Sequence, residues 1–165
     1  MMKRTISVIG SFRKHNEQIQ QVCEKLRGAG MSVASPQGNQ VIDKDVEFVR
    51  FDSDSATSSD AAIQLLALHR ILRSDLIYAV VPEGYIGKTT SYEVGRILQS
   101  STPIYFSDRP LDLPVHIADQ FVMDTDILLG HICDPQWQPK WLFADDDSRE
   151  ANLEKLLIER AFLHE

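Results

Sequence analysis

Apolar residues along this 165-residue chain fall alternately into short runs and helical stripes. Thr5 to Gly10 (TISVIG) is an apolar run closed by glycine and predicts a first strand. Ile19, Val22, Cys23, Leu26 and Ala29 then recur at helical spacing, with Gly28 and Gly30 ending the segment. Met31 to Ala34 predicts a second strand. A helix is predicted from about Asp60 to Arg73, with Asp60 as its N-cap and Leu65, Leu68 and Leu72 as its apolar stripe. Asp75 to Val81 (DLIYAVV) is almost wholly apolar, which suits a central strand of a parallel sheet covered on both faces. A helix carrying Val94, Ile97 and Leu98 follows, then a fourth strand at Pro103 to Phe106. This β-α-β-α-β-α-β order implies an α/β fold. The expected form is a three-layer Rossmann-like (flavodoxin-like) parallel sheet, with right-handed crossovers and helices on both faces.

Two stretches break the alternation. Residues 36 to 59 hold Pro36, Gly38 and many Asp and Ser residues, so they read as a long loop of the kind that often serves as a lid. Beyond Asp108 the pattern weakens to a short strand near Gln120 to Met123 and a brief helix at about Asp126 to Cys133. Residues 134 to 147, with Pro135, Trp137, Pro139 and Trp141, read as an arm. Ser148 is placed to cap a last helix whose apolar face is Leu153, Leu156, Leu157 and Ala161. Trp137 and Trp141 have two readings, burial against a second subunit or packing back on their own domain.

Charge narrows the partners. Seventeen basic residues face 24 acidic ones, a net of −7, so polymeric nucleic acid is not an expected partner. A small phosphate-bearing ligand remains compatible, because a few local donors suffice. No run of about 18 apolar residues is present, so no membrane span is expected. Met1 to Arg4 runs straight into the first strand without a signal-peptide pattern. Cys23 and Cys133 lack metal-ligand spacing, and Cys23, among apolar neighbours, reads as a buried inert thiol. Together these predict a cytoplasmic protein.

In parallel sheets ligands bind beyond the carboxyl ends of the strands. The two loops to examine are therefore Gly10-Ser11-Phe12-Arg13 and Pro82 to Lys88, both near helix amino ends. Gly87-Lys88-Thr89 ends like a phosphate-binding P-loop, but Pro82 stands where that pattern needs its first glycine and removes an N–H. Thr90-Ser91-Tyr92-Glu93 fits a capping box. Spacing alone therefore leaves Glu93 either as a helix cap or as a reacting carboxylate.

The apolar third strand, its glycine loop and the Thr90-Ser91-Tyr92-Glu93-Val94-Gly95 segment together resemble nucleoside 2-deoxyribosyltransferases and the related deoxynucleoside monophosphate N-glycosidases. Ile9-Gly10-Ser11-Phe12 and Pro103-Ile104-Tyr105-Phe106 are similar to that family's first and fourth strands. The likeness covers roughly residues 5 to 107. It implies a deoxyribosyltransferase-like domain over residues 1–133, with residues 134–165 as a C-terminal arm and helix packed on that domain or on a second subunit.

The resemblance further implies that Glu93 attacks the anomeric carbon of a nucleoside or nucleotide and displaces the base, after which water or a second base takes the sugar. A carboxylate stabilises the oxocarbenium-like transition state before bonding to it, and a helix amino end is expected to favour its ionised form. Gly10, Ser11, Phe12, Gly84, Tyr85, Gly87, Lys88, Thr89 and Ser91 are the expected substrate contacts. Lys88, Arg13 and Arg96 are candidates for a 5′-phosphate, and Tyr85 and Phe12 for stacking. No metal or other cofactor is expected, since no ligand cluster is visible. A homo-oligomer, dimer or higher, is expected from the family.

Two departures from the family stand out. The family's aspartate eight residues before the third strand's first Asp falls on Ala67, and its loop acid falls on Gly87. The donor of the base's proton is therefore open among His69, Asp60, Asp52 and Asp54. A non-catalytic nucleotide sensor on the same fold is the alternative. Phosphoribohydrolases, whose glycine loops typically read Pro-Gly-Gly and Gly-Thr, match less well.

Overall fold

The computed structural model describes residues 4–38 and 59–161. The loop proposed as a lid lies mostly outside them, as do Asp52 and Asp54. Among the described residues a four-stranded, all-parallel sheet forms in the order β2-β1-β3-β4. Its strands are β1 (Thr5–Gly10), β2 (Ser32–Ser35), β3 (Leu76–Val80) and β4 (Ile104–Phe106). Between them run α1 (Phe12–Gly28), α2 (Asp60–Leu72) and α3 (Lys88–Gln99), and α4 (Thr125–Cys133) and α5 (Arg149–Ile158) follow.

All five residues of β3 are buried. The strand lies between β1 and β4 and needs apolar side chains on both faces. Ile19, Val22, Cys23 and Leu26 bury the inner face of α1, as the spacing required. Cys23 is indeed buried, and that burial pushes its thiol up to about 11, which keeps it unreactive. A right-handed crossover from β1 to β2 puts α1 on one face of the sheet. The crossovers to β3 and β4 run the other way and put α2 and α3 on the opposite face. The connection changes direction between β1 and β3, and the carboxyl ends of these strands frame the crevice where such sheets bind ligands.

Several expectations need correction. The N-cap of α2 is Ser59, whose side chain accepts from the Ala62 amide at 3.2 Å, with Asp60 inside the first turn. The buried face of α2 is Ile63, Leu68 and Ile71, and Leu65 is 59% exposed. With leucine and isoleucine around most of its circumference, the sequence of α2 leaves its rotation ambiguous, and packing on β1 and β2 decides it. The strand expected near Gln120 to Met123 is a 3-10 turn, Asp119–Phe121, followed by one isolated parallel bridge from Val122 to Phe106. That bridge stands where a fifth strand would extend the sheet.

Ser148 does cap α5, accepting from the Ala151 amide at 3.1 Å. The buried position of α5 is Ala151, however, while Leu153 and Leu157 face outward and Ala161 lies beyond its end. The arm packs back on its own domain. Leu142 and Phe143 join the core, and Trp137 and Trp141 pack against it. The Trp137 ring meets Tyr105 at 5.6 Å and stacks on His131 at 5.5 Å, with the Arg4 guanidinium over it.

Candidate active site

Beyond the ends of β1 and β3 lies a cavity of about 310 Å³, near the lower end of the range for small-molecule sites. Gly10 closes β1 so tightly that a Cβ there would stand 2.5 Å from the Val80 carbonyl oxygen, and only glycine allows the two strand ends to meet. Ser11 is the N-cap of α1, and its side chain makes no capping bond. Phe12 and Arg13 begin that helix at the cavity wall. From the loop after β3 and the start of α3 come Tyr85, Gly87, Lys88, Thr89, Thr90 and Glu93.

Eight expected site residues therefore do meet in one place: Gly10, Ser11, Phe12, Tyr85, Gly87, Lys88, Thr89 and Glu93. Two do not. Gly84 has φ +76 and packs beneath the 109–111 segment, where a Cβ would stand 2.5 Å from the Arg109 carbonyl oxygen. Its role is to let that segment lie close. Ser91 turns back along α3, its hydroxyl donating to the Gly87 carbonyl at 3.0 Å. Arg96 is exposed and donates to the Tyr92 hydroxyl at 2.8 Å, outside the cavity. Tyr85 has limited room for stacking, because the Lys14 ammonium sits 3.5 Å from its ring centroid.

Glu93 differs most from expectation. Gly87 is the N-cap of α3, so Glu93 lies six residues past the cap and forms no capping box. The helix dipole acts mainly within the first turn and does not hold this carboxyl ionised. Glu93 is 8% exposed, and burial pushes its pKa up from 4.5 to about 8. Among the described residues its carboxyl has no hydrogen-bond partner. At neutral pH burial favours its neutral acid form.

The opposite wall was not anticipated. Ile63, Ala67, Arg70 and Ile71 line it from α2, and Ser35, Pro36 and Gln37 extend it from the end of β2. Spacing held the clue for α2: these residues sit at i, i+4, i+7 and i+8, so a helix that turns Ala67 to the cavity turns Arg70 there too. The Nε of Arg70 is buried and has no hydrogen-bond partner. His69 and Asp60 lie on other faces of α2, exposed and outside the lining. Glu93 is thus the acid of the described lining, which also includes Arg13, Arg70 and Lys88.

No group of three His, Cys, Asp or Glu side chains suited to a metal ion gathers among the described residues. Nor is any helix among them long and apolar enough to cross a membrane. No family model and no curated protein matches this chain. Its structure is similar to the crystal structure of a conserved protein from Enterococcus faecalis V583, at 16% identity and a TM-score of 0.48, over 98% of this chain and 100% of that one.

Proposed function

We propose that this chain cleaves or exchanges the N-glycosidic bond of a (deoxy)nucleoside or nucleoside 5′-monophosphate, with Glu93 as nucleophile. One observation carries the reading. A buried carboxyl with no partner among the described residues lines a cavity at the point where the chain reverses direction across the sheet. An unpaired buried acid costs stability, and such groups in clefts concentrate at reactive sites.

The ionised Glu93 attacks the anomeric carbon as the carbon–nitrogen bond breaks, and the bonding pair leaves with the base. Water or an acceptor base then attacks the glycosyl ester and Glu93 is released as a carboxylate. With water, the oxygen stays on the sugar and a proton goes to the departed base. The amino ends of α1 and α3, with Arg13 and Lys88, suit a phosphate at the cavity mouth.

A non-catalytic sensor is the second reading. It is favoured by the described lining, which holds no carboxyl or imidazole besides Glu93 to protonate a leaving base. The proposal includes a cytoplasmic location and an assembly of two or more copies, since Leu65 and Leu66 leave apolar surface on α2 for a second copy to cover. Incubation with a panel of nucleosides and 5′-monophosphates, with and without a free base, separates the readings by chromatography. Free base means a hydrolase and a new nucleoside a transferase. No turnover together with ligand-induced thermal stabilisation supports the sensor and removes the enzyme.

A further inference from the structure

A surface helix ordinarily turns its apolar stripe to the core and its charges to water. α5 does nearly the reverse. Its buried residue is Ala151, and Ile158, two turns on along the same face, packs against the core. Lys155 lies beside that inner row and its ammonium donates to the Asp146 carbonyl at 2.9 Å. The outer face carries Leu153, 37% exposed, and Leu157, 55% exposed. They stand one turn apart, with half-buried Leu156 beside them. The two ends of this leucine stripe carry opposite charges. Glu150 is exposed in the first turn, and Arg160 is exposed in the turn that follows the helix.

We infer that the outer face of α5 is covered by the α5 of a second copy of this chain, the two helices running antiparallel about a twofold axis level with residue 155. That operation exchanges positions 153 and 157, and positions 150 and 160. Each Leu153 then meets Leu157 of the second copy, and each Glu150 meets an Arg160. The stripe is complementary to itself in this order, as a twofold contact requires. Parallel helices would set Glu150 against Glu150 and Arg160 against Arg160, and would align their dipoles unfavourably. The inference extends the proposed assembly of two or more copies to a stated face, and rests on no property of the cavity. One pair of ten-residue helices, each about 15 Å long, buries less than a standard interface. The dimer therefore dissociates in the micromolar range.

Sedimentation equilibrium of the full chain, from low micromolar to hundreds of micromolar, tests this. The wild type should pass from monomer to dimer. Leu153→Glu/Leu157→Glu should stay monomeric throughout, with the melting temperature of the dilute wild type, since both side chains face water in the single chain. Glu150→Arg and Arg160→Glu should each weaken the dimer at least about fivefold, because each sets two like-charged pairs across the axis. Glu150→Arg/Arg160→Glu together should return the dissociation constant to within about twofold of wild type. A wild type that is monomeric at every concentration overturns the inference. So does a dimer that survives Leu153→Glu/Leu157→Glu, and its loss on Leu65→Glu/Leu66→Glu would then put the contact on α2. Failure of the double charge reversal to restore pairing overturns the antiparallel arrangement and with it the inference. Base release plays no part in the readout, so this inference and the glycosidic reading stand or fall separately.

Discussion

Replacing Glu93 with glutamine should change how stability depends on pH far more than stability at any one acidic pH. The unfolded chain releases the Glu93 proton near 4.5 and the folded chain near 8. Between those values the folded state holds a proton that the unfolded state has lost, so unfolding free energy falls as pH rises, by up to about 1.4 kcal/mol per unit. From pH 5 to pH 8 the loss reaches on the order of 4 kcal/mol, and above pH 8 it levels off. Water entering from the open side of the cavity reduces that figure. A glutamine has nearly the same shape and no charge, so Glu93→Gln should lack this slope while sharing every other titration. Urea unfolding of both proteins at pH 5, 7 and 9 measures the difference. Glu93→Gln should be close to wild type at pH 5 and more stable by several kcal/mol at pH 9, which for a chain of this length is a melting shift of about 2–4 °C per kcal/mol. Curves that stay parallel within about 0.5 kcal/mol would show that Glu93 is not buried as an uncompensated acid.

Three further outcomes follow from the same geometry. If Glu93 acts as nucleophile, kcat/KM for base release should rise with pH and level off above about 8; a profile that falls through that range would make Glu93 a proton donor. Gly10→Ala should destabilise the fold by about 1–3 kcal/mol through the clash with the Val80 carbonyl, and thermal melting within 1 °C of wild type would contradict that contact. Ser59→Ala should cost about 1 kcal/mol as loss of a helix cap, while Asp60→Ala should cost clearly less; the reverse order in urea titrations would return the cap to Asp60.

Much of the sheet was legible because its signals are local. TISVIG and DLIYAVV are apolar runs closed by glycine or proline, and Ser148 precedes a helix as a cap should. Spacing alone left Glu93 between a helix cap and a reacting group; the likeness of the Thr90–Gly95 segment pointed to the site, and Glu93 does line the cavity. What escaped depends on tertiary packing. Gly84 and Gly87 share one loop and look alike in sequence, yet one is packed beneath the 109–111 segment and the other lines the cavity. Leu65 and Leu68 both belong to a helical stripe, and only the rotation of α2 on the sheet tells which is buried. Arg70 depends on that same rotation. The charge state of Glu93 was read from the helix dipole, a local effect, whereas burial by the whole domain sets it and has the opposite sign.

The most direct measurement is the mass of Glu93 itself during turnover. Mix the protein with a panel of nucleosides and 5′-monophosphates near pH 8, quench with acid within milliseconds to seconds, digest, and weigh the peptides. With Glu93 as nucleophile, a fraction of the peptide spanning residues 89–96 should be heavier by one sugar or sugar-phosphate unit, and Glu93→Gln should lack that fraction. Base release without such an adduct, undiminished in Glu93→Gln, would contradict it.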